Sequence, residues 1–208
     1  MTNPETIDIA GPAGRLETIF LPAQDTERGV AVICHPNPLQ GGTNTNKVIQ
    51  TAAKALNKLG FHCYLPNLRG VGGSGGEHDY GRGETEDCAA VIDFARQRHP
   101  NAGKLIVSGF SFGGYVALFA AHRRRPDLLL LLGAAVNHYE QREPASPADC
   151  PTLLIHGEDD DVVCLQKVLD WAAPQDLPVV VLPKASHFFH GKLIPLRDIV
   201  SRFVPAFI

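Results

Sequence analysis

Residues Lys104 to Tyr115 read KLIVSGFSFGGY, and they constrain the chain more than any other stretch. Leu105-Ile106-Val107 is a short apolar run with the character of a buried strand. Tyr115 to Ala121 is apolar on all sides and reads as a buried helix. Between them lies Gly109-Phe110-Ser111-Phe112-Gly113, a G-x-S-x-G sequence on a strand-to-helix turn. A turn that sharp brings strand and helix backbones nearly into contact, so the flanking glycines stand where a Cβ would collide. The residue at the tip, Ser111, is forced into a strained conformation with its side chain presented outward. The helix behind it aims unsatisfied N–H groups and a positive dipole end at the same point. A serine held there can attack a carbonyl, and the N–H of Phe112 can receive the oxyanion. The competing reading is a glycine-rich turn with an incidental serine. The strand before and the helix after favour the chemical one.

The remaining composition sets limits. With 208 residues, 44% hydrophobic and 20% charged, the chain suffices for one sizeable core, so a single domain over 1–208 is expected. A net charge of -3 provides no basic field for a polyanion, which argues against a nucleic-acid partner. Arg123-Arg124-Arg125 ends the helix after Ser111, where cations complement a helix C-terminus. The five cysteines include no C-x-x-C pair, so neither a disulfide framework nor a zinc site is suggested. Cys34 and Cys63 lie in apolar strand patterns and read as buried small hydrophobes. The first ten residues lack a basic and apolar leader, and the longest apolar run, Leu128 to Val136, is too short to span a bilayer. A cytoplasmic location without membrane partners is the expectation.

From Val30 onward, strand and helix patterns alternate. Strands are expected at Val30–Cys34, Phe61–Leu65, around Lys104, at Leu128–Val136, Thr152–His156 and Val179–Leu182. Helices are expected at Asn44–Leu59, Glu84–His99, after Ser111, at Val162–Ala173 and Lys192–Phe203. A hairpin, Thr6–Ala10 and Leu16–Leu21 around Gly11-Pro12-Ala13-Gly14, precedes them. Continuous apolar strands alternating with helices indicate a parallel sheet covered on both faces. In such sheets ligands bind beyond the carboxyl ends of the strands.

Two strand ends carry the groups that a reactive serine needs. Thr152–His156 runs into Gly157-Glu158-Asp159-Asp160-Asp161, where a carboxylate could orient a histidine. Most of these four acids must simply be solvated. Asp160 is favoured, because it lies three residues past the turn glycine and just before the helix-starting valines. Asp159 is the runner-up. Val179–Leu182 runs into Pro183-Lys184-Ala185-Ser186-His187-Phe188-Phe189-His190-Gly191. His187 could take the serine proton, since an imidazole titrates near neutral pH. His190, one helical turn on, is the competitor and reads as surface.

Order and placement here resemble the α/β-hydrolase family over essentially the whole chain. The residues that carry the resemblance are Gly109-Phe110-Ser111-Phe112-Gly113, His156-Gly157 with Asp160, and His187. More narrowly the chain is similar to small, lidless bacterial serine hydrolases with an HPxPxxGG stretch, here His35 to Gly42, and an HFFHG stretch, here His187 to Gly191. The resemblance implies an eight-stranded, mostly parallel sheet and a triad of Ser111, His187 and Asp160. It also implies a second oxyanion donor from the loop after the third strand. Pro36 and Pro38 lack an N–H. Asn37 is favoured, with Leu39 next. His35 reads as a structural hydrogen-bonding residue.

Arg69 to Gly75 contains a formal G-x-G-x-x-G, but no helix follows at once and Ala90 stands where a dinucleotide site needs an acid. A structural loop is expected instead. Asn137 to Cys150 is too short to hold a helical lid, so an open, shallow site is expected. The resulting reading is a serine hydrolase for a small-molecule carboxylic ester or thioester that needs no metal or organic cofactor. An aminopeptidase-like activity, with Glu77 or Asp79 anchoring a substrate amine, is the alternative within enzymes. A non-catalytic binding protein on the same fold is the alternative outside them.

Overall fold

Alternate residues of the central strands point to opposite sides of one sheet, and each side has its own apolar layer. In β3 (Gly29–Cys34), Val30, Val32 and Cys34 join one cluster while Ala31 and Ile33 join the other. The same division holds in β5 (Lys104–Phe110) and β6 (Leu128–Leu132). Burying each Val, Leu or Ile side chain among them is worth about 1.5–3 kcal/mol, so a strand with two dry faces is strongly held in register. The computed structural model describes residues 3–24, 26–139 and 144–208.

Eight strands form the sheet in the order β1-β2-β4-β3-β5-β6-β7-β8. β1 (Glu5–Gly11) and β2 (Gly14–Leu21) make the expected hairpin, and β2 also pairs antiparallel with β4 (Phe61–Pro66). All other neighbours, through β7 (Thr152–Gly157) to β8 (Val179–Leu182), are parallel. One face carries α2 (Arg82–Arg98), α3 (Phe112–Arg124) and α4 (Leu165–Ala172). The other carries α1 (Lys47–Lys58) and α5 (Leu193–Phe207). This is the architecture expected of an α/β-hydrolase, and among the described residues there is no cap. Residues 140–143 of the 137–150 connection lie outside the described residues.

Several helix ends differ from the apolar pattern because side chains set them. Asn46 accepts the Val48 N–H and starts α1, so the helix begins after Asn44. Glu84 is the third helical residue of α2 and receives the Gly81 N–H, which moves the start back to Arg82. Asp160 occupies the N–H groups of Val162 and Val163, so α4 waits until Leu165. β6 stops at Leu132 because Gly133 turns the chain (φ 46°), and the Ala135 N–H donates to the Ser111 carbonyl instead.

The glycine-rich loop packs on the hairpin. The Gly75 N–H donates to the Arg15 carbonyl, and the Gly73 N–H to Glu17 Oε2. No helix begins between this loop and Arg82, in line with a structural role. Arg124 and Arg123 pair with Asp93 and Glu86, tying α3 to α2 rather than only facing a helix end. Cys34 and Cys63 are buried, as expected. Among the described residues no helix is long and apolar enough to cross a membrane.

Candidate active site

β5 delivers Ser111 to the carboxyl edge of the sheet. Its φ of 54° lies in the left-handed region, a conformation that a serine adopts only under constraint. The constraint is visible on both sides. The Ser111 N–H donates to the Leu132 carbonyl (3.0 Å), and the Ser111 carbonyl accepts from Gly114, Tyr115 and Ala135 N–H groups. A Cβ on Gly113 would stand 2.2 Å from the Cys34 carbonyl oxygen, and one on Gly109 2.0 Å from that of Gly113. Only glycines allow strand and helix to approach this closely.

His187 and Asp160 arrive from neighbouring strand ends. The loops after β7 and β8 are stitched together: Glu158 N–H donates to the Leu182 carbonyl and Asp159 N–H to that of Ala185, both at 3.0 Å. His187 packs against Phe110 (4.8 Å between ring centroids), while Phe189 is fully buried beneath the loop. His187 Nε2 lies 3.0 Å from Ser111 Oγ, and its Nδ1 lies 2.7 Å from Asp160 Oδ2. A carboxylate can only accept, so Nδ1 carries the proton and Nε2 offers its lone pair to the serine hydroxyl. Of the competing residues, Asp159 and His190 are both exposed and take no part in this line.

Asp160 is buried, which by itself pushes its carboxyl up. Hydrogen bonds from His187, Val163 and Val162 outweigh that and hold it below the usual carboxylate value. His156 is a further neighbour that spacing did not reveal. Its Nε2–H donates to the Val163 carbonyl at 2.8 Å and stands 3.3 Å from Asp160 Oδ2. Burial pushes its pKa down, against the raising effects of the Val163 carbonyl and the Asp160 carboxylate. The signal was present as the i,i+4 pair His156 and Asp160, but a strand end gives that spacing no fixed meaning.

The loop after β3 supplies the opposite wall. His35 is buried; its Nδ1–H donates to the Pro36 carbonyl (2.7 Å) and its Nε2 accepts the Leu68 N–H (3.0 Å). This is the structural role expected of it. Asn37 caps a single 3-10 turn, Pro38–Gln40, by accepting the Leu39 N–H at 2.9 Å. That bond commits the Leu39 donor and leaves Asn37 as the better candidate of the two. Asn37 and Phe112 line a common cleft of about 450 Å³.

One described group has metal-ligand chemistry: Glu27, His62 and His99. It lies at the amino end of β4, the opposite rim from Ser111. The two imidazoles stack face to face at 3.7 Å, so their in-plane lone pairs cannot converge on one ion. His62 Nδ1 also accepts the Ala23 N–H, which places its proton on Nε2, toward Glu27 at 2.8 Å. The three form a satisfied hydrogen-bond cluster.

Fold and site together define a class: a doubly covered, mostly parallel sheet with a serine on its central strand-to-helix elbow. Comparison with known proteins agrees. The family described as the alpha/beta hydrolase fold matches residues 32–132. An uncharacterized protein of Rickettsia prowazekii is 35% identical over 193 residues, 88% of this chain and 81% of that one. A lidless α/β serine hydrolase from Xanthomonas campestris superposes with a TM-score of 0.90 at 34% identity, covering 100% of this chain and 96% of that one. An α/β serine hydrolase homologue from Coxiella burnetii gives 0.87 at 38% identity, with 98% of each chain covered. The chain belongs to the α/β-hydrolase family.

Proposed function

We propose that this protein is a serine hydrolase that cleaves carboxylic esters or thioesters through an acyl-enzyme on Ser111. The observation that carries the reading is the unbroken line from Ser111 Oγ through His187 to Asp160, with distances of 3.0 and 2.7 Å. In the first half-reaction His187 Nε2 takes the hydroxyl proton as Ser111 Oγ bonds to the carbonyl carbon. The imidazolium that forms is stabilised by Asp160. The N–H groups of Phe112 and Asn37 receive the oxyanion, and His187 returns its proton to the departing alcohol or thiol. Water activated by the same imidazole then releases the acid and restores Ser111.

The aminopeptidase-like alternative gains no support from the acidic residues offered for it. Asp79 Oδ2 accepts the Gly83 N–H at the start of α2, and Glu77 is exposed.

A fluorophosphonate probe tests the reading. The native protein should label, and Ser111→Ala should not. The native protein should also turn over p-nitrophenyl acetate faster than amino-acid p-nitroanilides. Absence of both labelling and turnover would leave a binding protein on a hydrolase fold.

A further inference from the structure

We propose that the cleft beside Ser111 is a subsite for an aryl group of the substrate ester, with His78 and Tyr80 setting that preference. The inference rests on the serine-hydrolase reading above and adds a substrate class to it. The cleft is lined by Asn37 and Phe112, the two residues of the proposed oxyanion site, and Phe112 is the chain neighbour of Ser111, so a substituent of the bound ester can reach it. Its volume of about 450 Å³ is ample: a cavity of about 150 Å³ is enough for a benzene ring.

The walls are chiefly aromatic. Tyr139 stands edge-on to Phe112 (86°, 6.2 Å) and to Tyr115 (72°, 5.1 Å). His78 tilts over Phe112 at 5.4 Å and meets Tyr80 edge-on at 4.9 Å. Rings at steep mutual angles present both positive edges and negative faces to the space between them. A flat aryl group can satisfy both, and such ring pairs add about 0.5–1.5 kcal/mol beyond area. An alkyl chain gains only the area.

The mouth of the cleft is built and held in place. Tyr80 is 70% exposed and its φ is 51°, an uncommon and strained combination for a bulky aromatic residue. Glu84, fully buried at the start of α2, holds the segment by accepting the N–H groups of Asp79 (2.9 Å) and Gly81 (2.8 Å). Its Oε1 also lies 2.7 Å from His78 Nδ1, off the axis of a good hydrogen bond. A carboxylate buried to brace a strained, exposed tyrosine makes sense if that ring has something to cover.

The test uses the whole protein and two matched pairs of esters. Ethyl 3-phenylpropanoate is compared with ethyl hexanoate, and phenylmethyl acetate with hexyl acetate, by release of acid. In at least one pair the aryl ester should have a kcat/KM about three- to tenfold higher. Tyr80→Ala, at an exposed position that leaves the core untouched, should bring that ratio close to one. Equal or lower values for the aryl esters in both pairs would overturn the subsite. So would an unchanged ratio in Tyr80→Ala, or fluorophosphonate labelling without turnover of either aryl ester. Failure of the serine-hydrolase reading looks different: no labelling, and no turnover of any ester.

Discussion

Acid should weaken this fold through His35, by an amount that the structure sets. The imidazole is buried, its Nε2 accepts the Leu68 N–H, and burial lowers its pKa to about 4 against the smaller raising effect of the Pro36 carbonyl. An unfolded chain takes up the same proton near pH 6.5. Between those values the unfolded state binds more protons than the folded one, so stability drops as pH falls through this window and levels off below about pH 4. From about pH 7.5 to about pH 5 the loss from this one group comes to about 2 kcal/mol. The assay is urea denaturation at both pH values for the native protein and for His35→Gln. Asp160, His156, His99 and His138 also have lowered pKa values and will steepen both curves alike. The difference in slope isolates His35. The variant should be less stable near neutral pH, having lost fitted hydrogen bonds to Pro36 and Leu68, yet lose about 2 kcal/mol less on acidification. Equal losses in the two proteins would refute the argument.

Three further outcomes follow from the same geometry. Gly113→Ala places a methyl group 2.2 Å from the Cys34 carbonyl oxygen, and backbone must move to admit it; a stability loss of about 3 kcal/mol or more in denaturant melts is expected, and a loss below about 1 kcal/mol would contradict the close approach. Asp160→Asn keeps an acceptor for the Val162 and Val163 N–H groups, which turns the amide nitrogen toward His187 Nδ1 and drives the imidazole proton to Nε2. Turnover of p-nitrophenyl acetate should fall about 10⁴-fold, and a fall of less than about tenfold would remove Asp160 from its proposed role. His156→Phe deletes the N–H that donates to the Val163 carbonyl and stands 3.3 Å from Asp160 Oδ2; kcat should drop about tenfold with KM little changed, whereas native kcat would reduce His156 to a packing residue.

Much of the fold was readable because its signals are local. Continuous apolar strands with a helix between each pair specify a parallel, doubly covered sheet, and the hairpin announces itself through Gly11-Pro12-Ala13-Gly14. Element ends were less legible, for a consistent reason. Asn46, Glu84 and Asp160 each divert backbone N–H groups to a side chain, and apolar periodicity carries no record of that. Val162 and Val163 look like the first turn of a helix, yet their donors are committed to a carboxylate before the helix can begin.

The candidate site divides along a similar line. Ser111, Asp160 and His187 each follow a strand, and topology alone brings parallel strand ends to one rim, so their meeting was inferable before any coordinate. His156, His78 and Glu84 were not, because their importance lies in which atom faces which across the sheet. His156 reads in sequence as the last residue of a strand; only the fold turns its Nε2 onto the back of Asp160. Glu84 reads as an ordinary first-turn acid; only burial shows that it braces the loop carrying His78 and Tyr80. The pattern has a physical basis. Ser111, His187 and the carboxylate that orients it each follow a strand end, where order along the chain locates them. Residues that brace these three, or shape the space before them, can come from anywhere within hydrogen-bond reach. The proposed reaction class is therefore read from the chain's order, and the proposed selectivity from its packing.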